Sequence, residues 1–239
     1  MTEQTTQKKY ELLKDDTVEH LGRTLYRIKA LITFGLVGAG QLGGYIETEK
    51  NLDHSGNAWV YDNARVFGDA CVYGNAGVYD NAWVYGNARV CGNARVYGKA
   101  WVFGKAWVFG NAWVYGKAWV FGNAWVFGDA RVYGDACVYG NAGVCGDARV
   151  YDIARVFGDA RVRSFAVISE RKMIFWASNV GSENGTLTVF NGKFGLIVTR
   201  GCFTGTVDEF LSKSKEVHDD KTHHGYKLLI EVAQSRILN

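Results

Sequence analysis

The residues best suited to chemistry lie near the C-terminus, where His218, His223 and His224 share a short segment with Asp219 and Asp220. Imidazole and carboxylate are common metal ligands, so a metal site is conceivable there. The segment is polar throughout and lies between two predicted helices, and adjacent histidines rarely point at one ion. We therefore interpret it as a solvated loop and predict no bound metal.

Cys202 is a second candidate, because the nearby Arg200 could activate its thiol as a nucleophile. A small buried residue at a strand end is the simpler interpretation. The five cysteines are odd in number and lack C-x-x-C spacing, which favours free thiols over a disulfide or metal framework. An enzyme with its site around His218, His223 or Cys202 is the third of three functional hypotheses.

A third candidate is the stretch Gly38-Ala39-Gly40-Gln41-Leu42-Gly43, which matches the dinucleotide fingerprint G-x-G-x-x-G. That site needs a helix to open at once, so that its N-terminal amides face the pyrophosphate. Here the strand-like residues 44–49 follow instead. We interpret the glycines as a lead into the repeat that follows and predict no cofactor.

The residues from Gly56 to Ile168 repeat every six positions and organise the chain. Alanine stands at position 58 and at every sixth position through 166, and a branched aliphatic residue follows each alanine by two, nineteen times in all. Side chains alternate in a strand, so these two residues share the inner face and the residue between them faces outward. Gly with Asn, Asp or Lys then suits a corner. This short period is typical of parallel β-helices.

The unit, as in Asn111-Ala112-Trp113-Val114-Tyr115-Gly116, resembles that of the hexapeptide-repeat family, whose coils form a left-handed β-helix of triangular section. The resemblance implies three units per 18-residue coil and about six coils over residues 56–168. The predicted fold is therefore mainly β: a left-handed parallel β-helix with a small β-rich N-terminal cap and a small α+β C-terminal domain.

The flanking segments complete this division. Residues 1–8 are predicted to be a disordered lead, and residues 9–55 a cap that covers the strand edges of the first coil. Ile46 and Leu52 precede Ala58 by twelve and six residues, so the inward register starts there.

Residues 169–239 are predicted to form the C-terminal domain, which begins with three strands. Hairpin turns are expected at Asn184-Gly185 and Asn191-Gly192. A helix capped by Thr206 with Glu209 follows, and a second helix spans about Tyr226 to Ile237.

The outward residues sort into columns, because an 18-residue coil stacks positions i, i+18 and i+36. Trp83, Trp101 and Trp119 share one column, which we expect Arg65 and Arg155 to flank. Trp107 and Trp125 share another, with Arg89 and Arg161, and Trp113 lies on the remaining face. After the valines, two faces carry unbroken aromatic columns, one of six tyrosines (61, 79, 97, 115, 133, 151) and one that contains Phe103 and Phe121.

Aromatic ladders stabilise stacked strands, which accounts for the Tyr and Phe columns. The tryptophans would expose more apolar surface than soluble monomers usually show, and Trp and Arg are enriched at interface hot spots. We therefore predict an interface made of Trp83, Trp101, Trp107, Trp113, Trp119, Trp125, Phe103, Phe121, Arg65, Arg89, Arg155 and Arg161. The resemblance implies a homo-oligomer, a trimer or a dimer.

Catalysis by the repeat is not expected. The resemblance implies acyltransferase or carbonic anhydrase chemistry only where histidines serve as base or metal ligands. Residues 56–163 contain no His, Ser, Thr, Glu or Gln. We predict that the protein is not an enzyme and has no catalytic residues.

The ensemble also resembles a group of uncharacterised phage and prophage proteins, through segments such as Gln41-Leu-Gly-Gly-Tyr-Ile-Glu47 and Gly201-Cys-Phe-Thr-Gly-Thr-Val-Asp-Glu-Phe210. The first hypothesis is accordingly a self-assembling interaction protein in the host cytoplasm that binds a host protein, such as an antiviral-defence component that it inhibits. The second is a nucleotide or nucleic-acid binder that stacks bases on Trp and Tyr. Eight Asp against eleven Lys and Arg in the repeat weaken the second hypothesis. No signal peptide and no membrane span are expected.

Overall fold

A computed structural model describes residues 8–239 and shows a parallel β-solenoid closed at both ends. The predicted disordered lead lies outside the described residues except for Lys8, whose ammonium is 2.8 Å from the Glu49 carboxylate. The prediction of a mainly β parallel solenoid with small terminal units is confirmed. Its left-handed sense stays a prediction from the resemblance.

The chain begins with β1 (Tyr10–His20), β2 (Arg23–Ala30), β3 (Leu42–Ile46) and a 3-10 turn at Glu49–Asn51. Each of the nineteen repeats then contributes one two-residue strand. These strands, β4 to β22, are Trp59–Val60, Arg65–Val66, Cys71–Val72, Gly77–Val78, Trp83–Val84, Arg89–Val90, Arg95–Val96, Trp101–Val102, Trp107–Val108, Trp113–Val114, Trp119–Val120, Trp125–Val126, Arg131–Val132, Cys137–Val138, Gly143–Val144, Arg149–Val150, Arg155–Val156, Arg161–Val162 and Val167–Ile168.

Strands three apart in sequence pair in parallel and form the three sides of the solenoid. Trp101, for example, lies between Trp83 and Trp119 in the ladder. On the N-terminal side, Ile46 and Leu52 are buried, as predicted. Ile46 pairs with Val66 and Leu52 bridges to Val72, a spacing of 20 residues, so the predicted register, which places them opposite Ala64 and Ala70, is wrong by two residues. The solenoid therefore has about seven turns of three sides each, because the nineteen repeats supply one side each and the segment before them supplies two more.

The interior consists of the repeat's alanines and valines, which are all buried. At the corners, Gly92 has φ +67°, and a Cβ there would lie 3.0 Å from the Gly110 nitrogen, so the stacked turns favour glycine. Asp80 takes a corner position at φ 58°, and its carboxylate accepts a 2.9 Å hydrogen bond from the Gly98 N–H. The predicted inner face and corner chemistry are confirmed.

The N-terminal hairpin β1–β2 pairs with β3 and covers the first turn. The glycine motif begins in the turn before β3 and ends inside it, since Leu42 and Gly43 are the first residues of that strand, so it leads into a strand and not into a helix. A Cβ at Gly43 would collide with the carbonyl oxygen of Val60, and a Cβ at Gly44 with that of Ala64, so these two glycines permit close packing against the solenoid. Trp59, in the first repeat, is fully buried beneath this cap.

The C-terminal end is covered by a 3-10 turn at Arg171–Met173 and an antiparallel meander of β23 (Ile174–Val180), β24 (Gly185–Gly192), β25 (Gly195–Arg200) and β26 (Phe203–Thr206). One face of the meander continues the solenoid core through Ile174 and Phe190. The Thr199 hydroxyl donates a 2.6 Å hydrogen bond to the carbonyl oxygen of Arg161, which satisfies a backbone group of the last turn. The other face packs against α1 (Val207–Val217) and α2 (Asp220–Leu238).

Two local predictions about this domain are wrong. The second hairpin turns at residues 193–194, because Asn191 and Gly192 still pair with Leu196 and Gly195. Helix α2 begins at Asp220, six residues earlier than predicted. The Asp219 side chain caps it by accepting a 2.8 Å hydrogen bond from the Thr222 N–H. The predicted capping box of Thr206 and Glu209 is confirmed.

Lys9 gives the N-terminal cap a pH dependence. Its ammonium is buried, donates a 2.9 Å hydrogen bond to the Ala58 carbonyl and lies 4.9 Å from the centroid of the Phe34 ring. Burial lowers the pKa of Lys9 from 10.5 to about 8, against the opposing effect of Asp53. The charged amine is therefore tolerated less well in the folded protein than in the unfolded chain.

We expect Lys9 to contribute a gain in the free energy of unfolding as the pH rises from about 8 to about 10, because the unfolded chain then holds a proton on Lys9 that the folded protein has released. One proton sets a maximum contribution of about 1.4 kcal/mol per pH unit. The thiols of Cys71, Cys137 and Cys145 and the phenol of Tyr61, whose pKa burial raises to about 12, act in the opposite direction, since the unfolded chain loses those protons first.

The contribution of Lys9 is therefore measured as a difference between variants, by urea unfolding at several pH values from about 7 to 10. The free energy of unfolding of the native chain should rise relative to that of Lys9→Met and should run parallel to that of Lys8→Met, at an exposed neighbour. An equal pH dependence in the two variants would contradict the assignment.

Candidate interaction surface

The first tryptophan column lines a groove along one side of the solenoid. We name it the tryptophan groove; it has a volume of about 450 Å³ and is lined by Asn63, Arg65, Asn81, Trp83, Lys99, Trp101, Lys117 and Trp119. The indoles are stacked, with ring centroids 5.0 Å apart between Trp83 and Trp101 and 5.2 Å apart between Trp101 and Trp119. The Arg65 guanidinium lies 5.3 Å from the Trp83 ring centroid and continues the stack.

The stacking decides which parts of the indoles are available to a partner. Each inner indole has a neighbouring group over both faces, so the column presents mainly ring edges to solvent. A nucleobase entering between two indoles would have to separate hydrogen-bonded strands that are only about 4.8 Å apart. The groove is therefore better suited to contact with a protein surface than to base stacking.

Trp119 ends this column and is 40% exposed. The prediction that Arg155 flanks the column is wrong. Trp119 pairs with Cys137, and Cys137 in turn pairs with Arg155, one turn further on. The small Cys137 leaves the outer indole uncovered. Arg155 lies instead at the junction with the C-terminal domain.

The second tryptophan column is shorter and more exposed. The ring centroids of Trp107 and Trp125 are 5.9 Å apart, and the Arg89 guanidinium lies 5.1 Å from the Trp107 centroid, as predicted. The next residue in the ladder after Trp125 is Gly143, which has no side chain to cover the indole. Trp125 is accordingly 46% exposed. Arg161 reaches back over Gly143, so that a Cβ there would lie 2.9 Å from its Nη1.

Trp113 lies on the remaining side, away from both columns. The guanidiniums of Arg95 and Arg131, one turn before and one turn after it, lie 5.5 and 5.0 Å from its ring centroid. This sandwich gives the ring two cation–π contacts and leaves neither face free. The six tryptophans predicted as one interface are thus divided over three sides of the solenoid.

The aromatic columns after the valines differ in continuity. The column that contains Phe103 and Phe121 is unbroken, with successive centroids 4.9–5.0 Å apart. His20 closes it at Phe67 and Trp176 at Phe157, both by edge contacts. Phe103 and Phe121 are therefore ladder residues inside this column.

The predicted unbroken ladder of six tyrosines is wrong at one step. Tyr61 stacks on Tyr79, and stacking resumes from Tyr97 to Tyr151. The Tyr79 ring folds over Gly77, where any Cβ would collide with it.

Lys99 and Lys117 are functional candidates that the sequence prediction did not include. They lie at one corner, two residues before Trp101 and Trp119, and border the tryptophan groove. Asp135, in the next turn, is 3.8 Å from the Lys117 ammonium. The signal in the sequence is the spacing of 18, which stacks the two lysines beside the two indoles. The groove therefore combines indole edges with an excess of positive charge.

The residues singled out for catalysis or metal binding do not converge. His218 ends α1, whereas His223 and His224 belong to α2, so the expected loop is wrong. Nδ1 of His223 lies 3.2 Å from the Ser214 hydroxyl, a contact that joins the two helices. Cys202 is exposed in a turn and not buried at a strand end. Within residues 8–239 there is no group of three or more His, Cys, Asp or Glu side chains placed to hold a metal ion.

Three of the thiols on the solenoid are poor nucleophiles. Burial raises the pKa of Cys71, Cys137 and Cys145, although nearby arginines oppose the shift. A thiol attacks as thiolate, and a raised pKa lowers the thiolate fraction near neutral pH.

Comparison with known families identifies the kind of protein. Three stretches of the solenoid, residues 58–74, 88–104 and 130–146, match a family model described as YdcK Beta solenoid repeat. No curated protein matches the chain. The match and the seven-turn architecture together make this chain a β-solenoid repeat protein. None of the helices in residues 8–239 has the length and apolar character needed to cross a membrane.

The arginine and tryptophan contacts predict that the same Trp→Arg substitution changes the free energy of unfolding at one site and hardly changes it at another. We expect Trp113→Arg to lower the free energy of unfolding by about 1–2 kcal/mol, because it removes two cation–π contacts and stacks four guanidiniums, at positions 95, 113, 131 and 149. Trp119→Arg places arginine against Trp101, as Arg65 already lies against Trp83, and should change stability by less than about 0.5 kcal/mol. Urea unfolding measures both variants. Equal losses would show that the Arg–Trp contacts contribute little.

Proposed function

We propose that this β-solenoid is a non-catalytic interaction protein with two contact sides. The side with Trp107 and Trp125 joins copies of the chain into an oligomer. The tryptophan groove binds a protein partner with an acidic surface. The resemblance to phage proteins suggests a host protein in the cytoplasm, such as an antiviral-defence component that the binding inhibits.

The observation that supports the proposal most strongly is the uncovered Trp125 beside Gly143. An indole that is 46% exposed next to a second indole forms a flat apolar patch of the kind that marks association sites. Trp and Arg, which both occur in this column, are also the residues most enriched among interface hot spots. A second copy can present the same patch about a two-fold axis, or the neighbouring copy can do so in a trimer.

The tryptophan groove differs from this patch in charge. Arg65, Lys99 and Lys117 border it, and within the described residues only Lys117 is ion-paired, to Asp135. Two grooves in direct contact would bring these cations together, which opposes self-association there. An acidic protein surface provides both the countercharge and apolar groups for the indole edges. Nucleic acid is the alternative occupant, supported by the same cations and by the uncovered indole of Trp119, but not by the covered indole faces of Trp83 and Trp101.

Association through the Trp125 side predicts a change in molecular mass. We expect light scattering to find a dimer or trimer for the native chain and a monomer for the double variant Trp107→Arg with Trp125→Arg. Arginine occupies the same repeat position in seven of the nineteen units, and Arg131 already pairs with Arg149 in the ladder, so the variant should fold, with a loss of stability from the arginines stacked on Arg89 that urea unfolding measures. Arg149→Gln, at an exposed repeat position on another side, is the matched control and should keep the native mass. A native monomer at micromolar concentration would refute the self-association.

Binding of a partner in the tryptophan groove predicts that groove variants lose partner retention, independently of the oligomeric state. We expect immobilised native protein to retain a host protein that Trp101→Ala with Trp119→Ala, which removes the indoles without adding charge, does not retain, while the Trp107 and Trp125 double variant still does. A salt titration should weaken the complex, since the cations around the groove contribute to it. Release by nuclease, or equal retention by both double variants, would overturn the assignment of the groove to a protein partner.

A further inference from the structure

A cavity of about 360 Å³ lies where the last turns of the solenoid meet the C-terminal domain. Its wall combines three arginines with an aromatic surface: Arg155, Arg171, Arg236, Tyr139, Phe157 and Trp176. Its size is within the range of small-molecule sites, which is about 300–1,000 Å³. The groups lie up to 97 positions apart in sequence, counted from residue 139 to residue 236, and the cavity exists only because the two units pack together.

The three arginines come from three different elements. Arg155 begins a solenoid strand, Arg171 begins the 3-10 turn that follows the last repeat, and Arg236 lies in the last turn of α2. Within residues 8–239, none of the three forms an ion pair or a side-chain hydrogen bond, and no carboxylate lines the cavity. Three like charges gathered around one space repel one another, and an anion placed among them would relieve the repulsion.

The chemistry of arginine narrows the choice of anion. A guanidinium is planar and carries five donors, so it can grip a carboxylate or a phosphate with two parallel hydrogen bonds. All three side chains are exposed enough to reorient toward such a group. Phosphate or carboxylate is therefore the charged part that the cavity favours.

The aromatic wall is held rigidly. Tyr139 and Phe157 are stacked with centroids 5.0 Å apart, and the Trp176 ring meets Phe157 edge-on at 4.2 Å. Gly158 leaves room for the Trp176 ring, because a Cβ at position 158 would lie 2.9 Å from the indole Nε1. The buried Ile174 adds an aliphatic surface. Such a wall can bind a flat apolar ring without reorganising.

We infer that this cavity is a binding site for a small organic anion in which a phosphate or carboxylate is attached to a planar ring. The arginines hold the anionic group, and the Tyr139, Phe157 and Trp176 surface holds the ring. The inference requires neither self-association nor the tryptophan groove, because none of those indoles lines the cavity.

Calorimetric titration of the full chain with four probes separates the two contributions. Phenyl phosphate and benzoate carry both charge and ring, inorganic phosphate carries charge alone, and benzyl alcohol carries the ring alone. We expect at least one of the first two to bind about tenfold or more tightly than either of the last two, equivalent to ~1.4 kcal/mol. Their relative affinity shows whether phosphate or carboxylate is preferred.

The variants test the location. Arg155→Gln with Arg236→Gln should weaken binding of the better probe about tenfold or more, and Trp176→Leu should weaken it while leaving inorganic phosphate unchanged. Arg149→Gln, which removes an exposed arginine elsewhere on the solenoid, should have no effect. Arg171→Gln alone, at an exposed 3-10 turn, provides the same test if the double variant unfolds. Equal affinity for phenyl phosphate, benzoate and inorganic phosphate, unchanged affinity in the arginine variants, or no saturable binding below about 10 mM would overturn the inference.

Discussion

The register in which successive turns of the solenoid stack constrains every other feature of the molecule. Each residue of a turn lies one strand spacing from the residue 18 positions later, as Trp83, Trp101 and Trp119 show. Any side chain therefore has its own counterpart as its nearest neighbour on both sides. Inside the solenoid, this stacking favours residues that can pack on copies of themselves without gaps. Ala and Val do so with almost no exposed surface. Outside, the same constraint turns single residue choices into columns.

Stacking like on like favours some residue types and penalises others. Aromatic rings gain from a neighbour at about 5 Å, and amides can join in a chain. Asn57, Asn75, Asn93 and Asn111 do so at one corner, each amide donating to the next side-chain oxygen at 3.0–3.1 Å. Cations repel when stacked, so arginine is most stable against tryptophan, as at Trp113. Two stacked pairs depart from this rule, Arg131 with Arg149 and Lys99 with Lys117. Only the lysine pair lines a groove of stacked indoles, which makes the tryptophan groove a better candidate for a binding surface than for a purely structural feature.

The solenoid and its inner face could be predicted because a strict period of six leaves little freedom in register. The side of the solenoid on which each tryptophan lies could be predicted in the same way, from the 18-residue spacing between turns. Features that depend on the identity of a single neighbouring residue could not be predicted from the period. The break after Tyr79 arises because Gly77 offers an empty place for the ring, and Trp119 is exposed because Cys137 comes before Arg155 in the ladder. The start of α2 was missed because His and Asp were interpreted as loop residues, although Asp219 is a helix cap. The cavity at the C-terminal junction depends on how two units pack, which no local pattern encodes.

The departures from the repeat carry more information about function than the repeat itself. Glycine replaces the outward residue twice, at Gly77 and at Gly143, with opposite consequences. At Gly77 the Tyr79 ring fills the vacancy and the surface closes. At Gly143 the adjacent residue in the ladder is Trp125, whose indole becomes the most exposed tryptophan of the solenoid. Identical turns would present the same surface along the whole length of the solenoid and could not favour one contact position. A binding site on this fold therefore requires an interruption of a column or an end of the solenoid. The patch at Trp125 arises in the first way, and the arginine cavity arises in the second.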